Sequence, residues 1–134
     1  MRQILAALAV TAIGLVATPA SAGSWTPDAW ARESTVELRT TAPGTAEHWF
    51  PVWLVVLDGQ LYVRLGSRAA GRIAQNQTGP WIGVRIAGQQ FDHVRGESAP
   101  DQAGRVAAAM AAKYWTDVLV RHVNHPLTLR LVPE

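Results

Sequence analysis

Trp49-Phe50-Pro51-Val52-Trp53-Leu54-Val55-Val56-Leu57, followed at once by Asp58-Gly59 and then Gln60-Leu61-Tyr62-Val63-Arg64-Leu65, is the stretch that decides the fold. The first run is dense in aromatic and β-branched residues, which suit a pleated, half-buried surface. Asp-Gly between two such runs is the strongest short-range hairpin signal, because both central residues of the tight turn need positive φ. Pro51 has no amide hydrogen to give a ladder, which places it at the beginning or on the edge of its strand.

Working outward, Ser34 to Thr41 alternates with a period of two: Val36, Leu38 and Thr40 on one side, Glu37, Arg39 and Thr41 on the other. That is a half-buried strand, and Ala42-Pro43-Gly44-Thr45 is a turn. Upstream, Ser24 to Ala31 carries Trp25, Pro27 and Trp30, a lead-in or short helix that tucks aromatics against the domain. Downstream of the hairpin, the spacing predicts a short helix over Arg68–Asn76 with Ser67 as its N-cap. Trp81–Ile86 and Gln90–Val94 form a second hairpin around Ala87-Gly88. Pro100 and Asp101 open an alanine-rich helix to about Lys113, with a possible extension toward Val123 before Asn124-His125-Pro126 stops it. Leu127, Leu129 and Leu131 mark a last strand, Leu127–Val132. The expected class is mainly β (α+β): six antiparallel strands with one short and one longer helix, in a closed or nearly closed barrel that hides its edges.

The amino terminus has its own signature. Arg2 precedes an apolar run from Ile4 to Ala17, and Ala20-Ser21-Ala22 supplies small residues at alternate positions. This three-part pattern is a secretory signal peptide cut between Ala22 and Gly23. The expected organisation is residues 1–22 as signal peptide and 23–134 as one domain. The address is secreted or periplasmic, with no membrane contact after cleavage. The chain has no cysteine, so this domain relies on packing and not on the disulfides that export permits. Lys and Arg number 12 against 10 Asp and Glu, and no run of one sign occurs that would grip nucleic acid.

Tyr62-Val63-Arg64-Leu65-Gly66-Ser67-Arg68, with a helix ending Ile73-Ala74-Gln75-Asn76 behind it and Pro51 to Val56 before it, resembles the flavin-binding split β-barrel superfamily, that of pyridoxamine 5'-phosphate oxidase. The small single-domain branches related to deazaflavin-dependent nitroreductases are the nearest in pattern, and the likeness spans roughly Val36 to Leu131. The resemblance implies a homodimer binding FMN or a deazaflavin, and an oxidoreductase if the protein is redox-active. It places Val52 and Trp53 against the isoalloxazine ring, Tyr62 and Val63 along the ribityl chain, and Ser67 and Arg68 at the phosphate. Arg64 adds a second positive charge, and Arg72 is a further cation within reach. No catalytic side chain is implied, since the cofactor carries such chemistry.

Two positions depart from the oxidase pattern. Val52 stands where the oxidases carry an arginine, and Ala69 where they carry a lysine. These favour an alternative: an exported module on the same barrel that binds another small ligand, or none.

The remaining candidates have plainer explanations. His122 and His125 are three apart, a spacing open to a metal or haem iron, but they fall at a helix end where the dipole alone favours histidine. No metal site is expected. His48 and His93 read as surface residues. Ser67 lacks a nucleophile-elbow context, and nothing pairs Asp92 with Glu97 as a glycosidase acid and base. Of the six tryptophans, Trp53 is the one expected to face a pocket.

Overall fold

The computed structural model describes residues 23–44, 46–114 and 125–134. Seven antiparallel strands form one sheet: β1 Val36–Thr41, β2 Glu47–Val52, β3 Leu54–Leu57, β4 Gln60–Leu65, β5 Trp81–Ile86, β6 Gln89–Ser98 and β7 Leu127–Pro133. Helix α1 spans Ser67–Ala74 and α2 spans Ala103–Lys113. The strand order is β2-β1-β5-β6-β7-β4-β3.

The two edge strands are neighbours in the chain, separated only by Trp53. One continuous segment therefore begins on one edge of the curled sheet and ends on the other. The barrel is closed by covalent chain at Trp53 instead of by a ladder, and that is where it splits. This accounts for seven strands against the expected six: the Trp49–Leu57 run is interrupted at Trp53 into β2 and β3. β6 is also longer than expected, because its first half pairs with β5 and its second half with β7.

Alternation sorts the side chains. Val36, Leu38 and Thr40 are buried, as the period of two predicts. Leu61, Val63 and Leu65 fill the barrel with Leu38, Leu54, Val84, Val94 and Leu131. Tyr62 points the other way and joins Val55, Ala99, Val106 and Met110 in a second cluster, where α2 lies on the outer face of β3 and β4. Trp30, 2% exposed, sits in the main core. Its ring meets Trp25 edge-on at 5.1 Å, and Trp25 meets Phe91 at 5.0 Å.

Pro100–Gln102 forms a 3-10 turn ahead of α2, so the helix proper begins at Ala103. Its expected extension toward Val123 falls outside the described residues. Asn76 pins the loop after α1. Its side-chain oxygen accepts from the Thr41 amide at 3.0 Å, and its nitrogen donates to the Trp81 carbonyl at 2.8 Å.

Both hairpin turns have two residues at positive φ: Asp58 at 52° with Gly59 at 72°, and Ala87 at 51° with Gly88 at 78°. Asp tolerates this region through local hydrogen bonding; alanine gains nothing in return. Ala87→Gly is therefore expected to stabilise the fold by about 0.5–1 kcal/mol, since the relief of strain exceeds the added chain entropy. A higher urea midpoint with an unchanged slope checks this.

Candidate functional site

Continuing the β3–β4 register, in which Leu54 faces Val63, by one residue sets Trp53 beside Arg64 at the split. β4 then runs through Gly66 straight into α1. An open groove of about 890 Å³ occupies this corner. Val52, Trp53, Arg64, Ser67 and Arg68 all line it, as do Arg72, Phe50 and Met110. Five of the seven residues expected to hold a cofactor are thus brought together. The other two are not: Tyr62 and Val63 are 4% and 0% exposed, committed respectively to the α2 contact and the barrel interior. They miss the groove because β4 is a central strand, covered on both faces at those positions.

The helix start also differs from expectation. Gly66, with extended backbone at φ −72° and ψ 177°, holds the N-cap position, and Ser67 is the first helical residue. No side chain caps this end. The Ala70 amide donates to the Gly66 carbonyl at 2.9 Å to close the first turn. The amides of Ser67, Arg68 and Ala69 therefore have no carbonyl within the helix to bond, and together they present partial positive charge to the groove.

Arg68 and Arg72 are four residues apart and share a helix face. The Arg72 guanidinium lies 5.8 Å from the Phe50 ring centroid. Elsewhere, ion pairs occupy Arg39, Arg95, Arg105 and Arg130. Among the described residues, no ion pair involves Arg64, Arg68 or Arg72, and no carboxylate lines the groove. His48 and His125 stand on its wall, a placement that sequence reading missed. His93, by contrast, is an exposed residue 3.5 Å from Glu134, as expected. His122 lies outside the described residues, so its pairing with His125 does too.

Trp53 is held from behind. Its ring stacks on Tyr114 with centroids 3.9 Å apart and planes 12° from parallel. The Tyr114 hydroxyl accepts from the Leu54 amide at 3.2 Å and lies 2.8 Å from the Ser34 carbonyl and 3.1 Å from that of Leu54, one of which takes its proton. The Lys113 ammonium donates to the carbonyls of Glu33 at 2.7 Å and Leu54 at 3.0 Å. These backbone groups lack ladder partners because the sheet is split there. Lys113 and Tyr114 form a clasp that satisfies them. Burial pushes the Lys113 ammonium below its ordinary pKa, against a smaller opposing effect of Glu33. Burial likewise raises the Tyr114 phenol, with the Leu54 contact working against it. Neither residue signals this role in sequence, since both follow an alanine run that already explains itself as helix.

A smaller groove of about 540 Å³ lies near the Ala87-Gly88 turn. Glu33 and Glu37 line it, and the guanidinium of Arg85, its one cation, lies 3.7 Å from the Trp49 ring centroid. Its charge is wrong for an anion.

No family model and no curated protein matches this chain. Solved structures do match in fold. One is HutZ, the heme storage protein from Vibrio cholerae, with TM-score 0.57 and 16% identity over 80% of this chain and 87% of that one. Another is an FAD-binding protein from Mesorhizobium loti, with TM-score 0.53 and 16% identity over 78% and 82%. A third is an F420-H2 dependent reductase, with TM-score 0.50 and 10% identity over 75% and 94%. The fold is the split β-barrel that these structures share, as the sequence resemblance implied.

Proposed function

We propose that this is an exported split-barrel protein that binds a flavin-type cofactor, FMN or a deazaflavin, in the groove at the split, and works as a homodimer. The observation that carries the reading is the cluster of Arg64, Arg68 and Arg72 without a carboxylate partner beside the open start of α1. A phosphate matches that arrangement. The helix amides give directed donors, and Arg68 adds a planar fork for two phosphate oxygens. Arg64 and Arg72 supply the charge that Val52 and Ala69 do not. Trp53, braced by Tyr114, offers a flat apolar wall for a ring system. A flavin supplies the redox chemistry when bound; the chain's own residues bind it and orient it. The fold relatives described as an FAD-binding protein and an F420-H2 dependent reductase support the cofactor class.

The alternative, a module for a different small ligand, is favoured by one feature: His48, His125 and Met110 stand on the same wall and are potential axial ligands to a haem iron. Absorption spectra of the purified protein after separate incubation with FMN and with hemin distinguish the two. A perturbed flavin band that survives gel filtration is the expected result. A shifted haem band with no retained flavin overturns the flavin reading in favour of the alternative.

A further inference from the structure

We propose that removal of the leader is itself a structural event: hydrolysis of the Ala22–Gly23 bond creates an α-ammonium on Gly23 that donates to the buried side-chain oxygen of Gln89. The inference rests on the export reading and not on the cofactor reading. In the hydrolysis, water adds its hydroxyl to the Ala22 carbonyl carbon as the C–N bond breaks and its other proton goes to the Gly23 nitrogen; the new carboxyl group then ionises, and the amine takes up that proton to become the ammonium.

Three observations converge on this corner. The side-chain oxygen of Gln89 is buried, and among the described residues nothing donates a hydrogen bond to it. A buried acceptor without a donor is destabilising, and native folds rarely leave one. Gly23 lies directly against it: a Cβ built on Gly23 would overlap the Gln89 amide, so a larger residue forces that side chain out of its seat. The approach is also fixed by packing. Trp25, two residues beyond Gly23, meets Phe91 edge-on at 5.0 Å. Phe91 is two residues beyond Gln89 on β6, so the two side chains share a face of the strand. The arm and the start of β6 therefore run alongside one another, Gly23 by Gln89 and Trp25 by Phe91.

A secondary amide has one hydrogen in a direction set by the peptide plane. An ammonium has three that rotate, and it bonds a neutral acceptor more strongly than an amide does. Cleavage supplies the donor that this site lacks.

The test has two parts. Intact mass of protein recovered from outside the cytoplasm is expected to show a chain beginning at Gly23; a different start overturns the proposal. Melting is then compared for chain 23–134, for the same chain acetylated at its α-amine, and for chain 22–134. Both altered chains are expected to melt roughly 5–10 °C lower, the scale for one hydrogen bond to a charged group in a domain of this size. Equal melting overturns the proposal. In Gln89→Leu the difference between free and acetylated termini is expected to vanish. If it persists, the ammonium bonds elsewhere and the assignment to Gln89 is wrong.

Discussion

Arg68→Ala is expected to weaken FMN binding about 10- to 100-fold, the loss of roughly 1.5–3 kcal/mol that accompanies deletion of a hydrogen-bonding partner to a charged group. The guanidinium lies on the groove wall at the second position of α1, beside amides that have no partner within the helix. Removing it leaves those amides but takes away the guanidinium carried on that same first turn. Arg68→Lys restores charge without planarity and should recover only part of the loss. Arg64→Ala and Arg72→Ala are expected to have smaller effects of the same sign, since neither sits at the helix start. All three dependences should weaken as salt rises. Fluorescence titration of FMN against each variant measures the series. Circular dichroism of the exposed-site variant Arg68→Ala should remain that of the parent, because the residue makes no core contact.

Tyr114→Phe is expected to cost about 2 kcal/mol of folding stability, lowering Tm by on the order of 10 °C. The substitution keeps the ring against Trp53 but strips the partner from the Leu54 amide and the Ser34 carbonyl. These groups lie at the split, where no strand can replace the lost bond. The phenol also has a signature in pH. Its pKa is raised above the ordinary 10.0 by burial, so the folded state favours the neutral form. The stability it contributes is present below pH 10 and lost as pH rises through the raised value. Lys113 runs the opposite way. Its pKa is lowered from 10.5, and the penalty for holding it charged is relieved as pH climbs from the lowered value toward 10.5. An ultraviolet titration is expected to show a late-ionising step in the parent that is lost in Tyr114→Phe. Stacking survives in the Phe variant, so ring binding at Trp53 should change little; Tyr114→Ala removes both supports.

The hairpins and the period-two strands were legible because their signals are local. Asp58-Gly59 and Ala87-Gly88 turn where the chain said they would, and Val36, Leu38 and Thr40 face inward together. The break at Trp53 was not legible. An apolar run of strand formers looks the same whether it stays on one edge or crosses to the other, and only the curl of the whole sheet decides. The site divided along the same line. Ser67 and Arg68 stand out as a strand-to-helix junction, and Trp53 follows from its neighbours. Tyr62 and Val63 were carried over by resemblance, but burial on both faces of β4 keeps their side chains out of the groove. His48, His125 and Met110 arrive from three separate elements, and no spacing within the sequence connects them. Tyr114 and Lys113 act on backbone groups left over by the split, which no sequence pattern announces.

The central claim is that the groove at the split recognises a phosphate carried on a flavin. The most direct measurement compares the dissociation constants of FMN and riboflavin, which differ only in that group, for the parent chain and for Arg68→Ala. The parent is expected to favour FMN by at least about tenfold, the worth of one charge-assisted bond, and the variant to lose most of that preference. Equal affinity for the two flavins in the parent, or a preference untouched by the substitution, would contradict it.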